Sequence, residues 1–249
     1  MKNYMQAAAL TGLAIAEIAL GASAHAQGVI SEWNQVQAPP APALQQVTLD
    51  PAKTALLLMD FGTNCASEPR CTADIPHLKM LVDQARVHHV LVVYSGARPG
   101  MAMVSEIAPR AGEPTVVGFG DRFYNTNLDG LLKQHGISTV IACGTVANGV
   151  ELFTAAGATQ RGYHVVVPVD CMPARSAYAE QNVVWAFAND PEFTPPRAFG
   201  GGRTGAAPGG AAAAAGRSSR GTRGAGTAPR SGPPRGYATL TSSDMIHFG

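Results

Sequence analysis

Asp60 closes the apolar run TALLLMD (residues 54–60), and its place there makes it the first candidate for chemistry in this chain. A run of that kind reads as a strand buried on both faces, and in an open parallel sheet ligands bind at the carboxyl ends of the strands. A carboxyl group there can act as a general base. It acts as an acid only if burial or a nearby anion raises its pKa. The plainer reading is a turn or helix-capping aspartate. A second apolar run ends at Cys143-Gly144, and a third ends just before Asp170-Cys171, so both thiols should reach the same sheet edge. They could pair as a disulfide, supply a nucleophile, or simply pack as small buried residues. Thr145, Asn148 and Tyr124 are polar residues near these ends that could orient a ligand.

The elements that must position these residues follow from hydrophobic period and punctuation. Strands are expected at 54–59, 90–94, 115–117, 139–143 and 164–169, and helices at 75–88, 127–135, 149–161 and 176–188. Gly136 and Gly162 close two of the helices. Tyr237 to Phe248 returns to a period of two and reads as a terminal strand. Alternating strands and helices with short connections imply an α/β fold with right-handed crossovers and a mainly parallel sheet.

These stretches resemble the isochorismatase-like hydrolases, a superfamily that includes cysteine hydrolases, nicotinamidases and N-carbamoyl amidohydrolases. The resemblance rests on the strand ending in Asp60, the turn FYNTNL (123–128), the strand-Gly-helix segment from Val140 to Asp170, and the last ten residues. It implies a three-layer, Rossmann-like fold with a six-stranded sheet and helices on both faces. It also implies a catalytic Asp, Lys and Cys, of which this chain keeps the aspartate. Arg122 is the cation in the lysine region, and Val150 stands where G-x-x-T-x-x-C-V carries its cysteine. Arginine stays protonated, so Arg122 is read as a clamp for a substrate carboxylate, not as a proton carrier. Valine offers no nucleophile, whereas isochorismatases proper manage without the cysteine by protonating a vinyl ether and adding water. The resemblance further implies a cis peptide at Val146–Ala147 and an oxyanion hole nearby, with Ala147 replacing the usual threonine. It places Val146, Ala147 and Val150 beside the substrate, with Asp60 and Arg122 as the catalytic pair. Homo-oligomers are common in the family.

Nothing in the sequence asks for a cofactor. The region SGARPGMAMVSE, where nicotinamidases carry zinc-binding histidines, has none, and His77, His88 and His89 lack a third ligand at metal spacing. No phosphate loop follows a strand. Cys65 and Cys71 sit six residues apart after the Asp60 strand, and an oxidising compartment would allow them to bridge.

That compartment is suggested by residues 1–26, where Lys2, the apolar run Ala7 to Ile15 and the small-x-small triplet Ala24-His25-Ala26 read as a secretory signal, despite Glu17. The expectation is a periplasmic or secreted protein, free of the membrane after cleavage. Residues 27–53 read as an N-terminal extension and 54–193 as the hydrolase domain, which residues 237–249 complete. Between them, 194–236 is rich in Gly, Ala, Arg and Pro and reads as a disordered insertion. Seven of the 18 Lys and Arg lie there without a single acid, so the other eleven face all 17 Asp and Glu and leave the body at net −6. Gly200 to Gly236 holds no aromatic residue to stack on bases, which argues against nucleic acid as a partner. Two functions fit: a hydrolase of a small, anionic molecule using Asp60 and water, or a non-catalytic binding protein that keeps the pocket.

Overall fold

A computed structural model describes residues 28–195 and 236–249. The expected leader at 1–26 and all of the 194–236 insertion except its ends lie outside the described residues. The chain divides into a first unit ending at Pro40, in which α1 (Val29–Glu32) is described, and a second from Ala41 to Gly249. Everything that follows concerns the second unit.

Its strands are β1 (Val47–Leu49), β2 (Thr54–Met59), β3 (Leu91–Gly96), β4 (Thr115–Val117), β5 (Thr139–Gly144), β6 (His164–Pro168), β7 (Ala238–Thr241) and β8 (Ile246–Phe248). Six form one sheet in the order β4-β3-β2-β5-β6-β7, every neighbouring pair parallel. Helices α2 (Pro69–Val87), α3 (Leu128–Gln134), α4 (Leu152–Gln160) and α5 (Ala177–Asn189) cover its faces. All six residues of β2 are buried, as a central parallel strand requires. Its side chains alternate between two cores. Ala55, Leu57 and Met59 pack with residues of α3, α4 and α5, whereas Leu56 and Leu58 pack with Leu78, Leu81, Val82 and Ala85 of α2.

The expected elements are present, with instructive shifts. Helix α2 starts at Pro69, not at residue 75, because proline suits the first turn, where no N–H donor is needed. Pro76 then lies inside the helix, and the structure tolerates the one lost amide donor. The C-terminal segment forms two strands instead of one. β7 extends the main sheet beside β6, while β8 pairs with β1 in register Val47↔Ile246 to Leu49↔Phe248. The extension before residue 54 therefore contributes a strand to the compact unit. No described helix is long and apolar enough to cross a membrane.

Cys65 and Cys71 are disulfide-bonded with Cα atoms 5.3 Å apart, whereas Cys143 and Cys171 are free and fully buried. Alkylation in denaturant without reductant should therefore label two of the four cysteines, and all four after reduction. Labelling of four at the outset would show the bridge to be absent.

Candidate active site

The carboxyl ends of β2, β3, β5 and β6 open onto one cavity of about 620 Å³, a size suited to a small molecule. Asp60 lies at its base. The backbone turns sharply there: Asp60 has φ of +62°, a left-handed conformation that costs a residue with a Cβ about 1–2 kcal/mol. Its N–H donates to Ser95 O at 2.9 Å, which ties the end of β2 to β3.

The Asp60 side chain divides its two oxygens. Oδ2 accepts from Arg122 Nη2, while Oδ1 is buried without a partner among the described residues. Burial pushes the carboxyl above its ordinary value, against the opposing pull of the Arg122 guanidinium and of the Ala97 N–H. The group is therefore more readily protonated than a surface aspartate, as an acid must be.

Arg122 donates to Asp60, but it is buried and lies outside the cavity lining. Its side chain is buried, Nε donates to Ser95 Oγ at 2.7 Å, Nη1 donates to Gly118 O, and Nη2 goes to Asp60. Its backbone N–H is fixed as well, donating to Thr154 Oγ1 at 3.1 Å. Burial lowers its pKa while Asp60 supports the charge, and a guanidinium remains protonated under such conditions. Arg122 does not line the cavity, where the expected carboxylate clamp would have to meet a substrate; the partner of its guanidinium is Asp60.

The expected substrate-binding residues divide in the same way. Thr145 and Val146 line the cavity; Tyr124, Ala147, Asn148 and Val150 do not. Tyr124 and Asn148 are exposed, whereas Ala147 and Val150 are buried in the core. The cis peptide joins Thr145 to Val146, one residue earlier than expected. Thr145 N–H still continues the β5 ladder by donating to Met59 O at 3.0 Å. Ala147 N–H is taken by Pro173 O at 3.0 Å and is not available to an oxyanion. Helix α4 also begins later than expected, at Leu152, because Asn148 and Gly149 depart from helical φ/ψ within a wider turn at Ala147–Glu151.

Several cavity residues were not singled out from sequence. Thr63, Asn64 and Glu68 come from the segment after β2, Arg98 from the end of β3, and Arg175 from the loop after β6. Arg98 and Arg175 are exposed, and their side chains make no ion pair or hydrogen bond among the described residues. The signal for both was available, since each follows a strand's carboxyl end. The only cysteine lining the cavity, Cys71, is held in the disulfide. Burial raises the pKa of Cys143 and Cys171, which keeps both as thiols and argues against either as a displaced nucleophile.

Glu151, next to the core residue Val150, is buried as well. It is fully buried, neither carboxyl oxygen has a partner among the described residues, and desolvation pushes its pKa up to about 8. The glycine at the end of β5 makes room for it: a Cβ on Gly144 would stand 3.0 Å from Glu151 Oε2.

A parallel sheet with helices on both faces, and an aspartate at the end of a central strand beneath one cavity, defines the class as an α/β enzyme fold of the isochorismatase type. The isochorismatase domain family matches residues 54–195, more than half of the chain, and the protein belongs to that family. An isochorismatase family protein of Bacillus subtilis strain 168, YwoC, is 29% identical over 157 residues, covering 52% of this chain and 82% of its own. Among solved structures, an isochorismatase from Pseudomonas putida KT2440 shares the fold with a TM-score of 0.56 at 13% identity, over 81% of this chain and 94% of its own. A cysteine hydrolase from Pseudomonas syringae pv. phaseolicola 1448A gives 0.51 at 21% identity, over 58% and 88%.

Proposed function

We propose that this protein hydrolyses a small, anionic molecule by acid assistance from Asp60 and attack of water, without a cysteine nucleophile. The observation that carries the reading is Asp60 itself, a cavity-lining carboxyl with one oxygen held by Arg122 and the other without a hydrogen-bond partner among the described residues, in a cavity whose only cysteine is locked in a disulfide. Arg122 holds Oδ2 and so fixes the orientation of the carboxyl group, which in its protonated form donates to the atom that leaves or becomes basic. Thr145 and Asn64 offer polar groups to the substrate. Arg98 and Arg175, exposed at the cavity wall, take the role of anion recognition that Arg122 cannot fill. The Cys65–Cys71 bridge supports the reading of the N-terminus as a secretory signal and of the compartment as periplasmic or extracellular.

The test is turnover of a panel of vinyl ethers, amides and carbamoyl compounds by the wild type and by Asp60→Asn. Loss of about a hundredfold or more in kcat, with KM little changed, is the expected result. Wild-type kcat should fall as pH rises through the raised pKa of Asp60, because the acid form is then depleted. A variant that retains the wild-type rate would remove Asp60 from the mechanism. Ligand binding without turnover in the wild type would favour a binding protein on the same fold.

A further inference from the structure

Two of the walls of the cavity come from distant parts of the chain. One is the segment after β2, with Gly62, Thr63, Asn64, Glu68 and Cys71; the other is the loop after β6, with Pro173, Ala174 and Arg175. A continuous series of bonds joins them. In the first wall, Cys65 N–H donates to Gly62 O at 2.9 Å, Glu68 N–H donates to Cys65 O at 3.0 Å, and the disulfide fastens Cys65 to Cys71 in the first turn of α2. Arg70, next to Cys71, donates through Nε to Glu180 Oε1 at 2.6 Å and through Nη2 to Oε2. The same Glu180 Oε1 accepts the Ala174 N–H at 2.8 Å, in the second wall.

We propose that Arg70 and Glu180 are positioning residues for the cavity, anchored by the Cys65–Cys71 disulfide, so that the two walls are set against each other only in the oxidised protein. An ion pair as open to solvent as this one, with side-chain exposures of 45% and 21%, adds little to global stability. Its two-pronged geometry instead fixes direction. The guanidinium holds the carboxylate in one orientation, and the carboxylate holds the backbone amide beside Arg175. Arg70 stands in the first turn of α2, and the disulfide ties that turn to the segment after β2. The buried cysteines Cys143 and Cys171 are unbridged, so among the described residues a reductant has this one bond to act on. An added dithiol passes two electrons and two protons to it, giving two thiols at Cys65 and Cys71 while the reagent closes to its own disulfide.

The proposal draws on the hydrolase reading only for its kinetic arm, and hydrogen exchange on the full chain tests it without a substrate. In the reduced protein, residues 63–72 and 171–176 should both exchange about tenfold faster, with β2 and β5 unchanged. Cys65→Ser with Cys71→Ser should reproduce this without reductant and respond to none. Glu180→Ala should loosen 171–176 alone, and Glu180→Gln, which can still accept the Ala174 amide, should largely restore it. Loosening of 63–72 with 171–176 unmoved would break the proposed link. No change in either would show that the disulfide anchors nothing, and faster exchange throughout would make it a general support of the fold. For any substrate turned over, reduction should raise KM about tenfold at constant kcat. A fall in kcat at constant KM would overturn the positioning role, whereas failure of the whole panel would count against the hydrolase reading and leave the exchange result to decide this one.

Discussion

Replacing Arg122 by Met will destabilise the protein by about 3–5 kcal/mol, the usual consequence of removing one partner from a buried ion pair. Three acceptors depend on this guanidinium: Asp60 Oδ2, Ser95 Oγ and Gly118 O. Each loses a charge-assisted bond in a place where little water can replace it. Arg122→Lys should do less damage, since it keeps a charge near Asp60, but one ammonium cannot serve three acceptors arranged around a planar fork. Arg122 also lowers the pKa of Asp60, so in Arg122→Met burial acts unopposed and the carboxyl moves further up. Denaturant unfolding measures the first effect and carboxyl NMR of Asp60 the second. A loss below about 1 kcal/mol, the range of surface pairs, would show that Arg122 is not the buried anchor described here.

Glu151→Gln will remove a large part of the stability that the wild type loses as pH rises from 5 to 8. The folded-state pKa of Glu151 is raised from 4.5 to about 8, so the folded protein keeps a proton that the unfolded chain releases. The corresponding stability is fully present below about pH 4.5 and is lost as pH rises through about 8. At roughly 1.4 kcal/mol per pH unit, the wild type should lose up to about 4 kcal/mol between pH 5 and pH 8. Glutamine carries no charge to desolvate, so Glu151's share of the slope disappears. Asp74, raised to about 7 by burial and by the carboxylates of Glu180 and Asp170, acts with the same sign and should leave a smaller residual slope. Urea unfolding at the two pH values decides the matter, and equal slopes in both proteins would mean that Glu151 is solvated or paired in solution.

The parts legible in the sequence were those governed by local pattern. The apolar run of β2 announced a central strand, and Asp60 could be placed because strand ends of parallel sheets carry function. The strand at 115–117 was found despite its length, whereas β1 and β8, three residues each, were too short for a period of two to show alone. What stayed hidden was decided by tertiary contact. Nothing in the spacing reveals that Arg122 donates to Ser95, Gly118 and Asp60, or that Glu151 is buried from a turn expected to be a regular helix. Arg98 and Arg175 stayed hidden for a different reason: an arginine in a loop reads as an ordinary surface cation until the fold brings that loop to the cavity.

The parallel sheet is finished by its most distant segment. β6 receives its edge partner β7 only after residues 169–237 have been made, and β8 then closes on β1 from the opposite end of the unit. A nascent chain that has just completed α5 therefore exposes the edge of β6, its backbone donors and acceptors unpaired. Such an edge invites another chain to add itself. The fold cannot be completed vectorially from its amino terminus, and its passage through the cell includes an interval in which protection of β6 depends on whatever attends the growing chain.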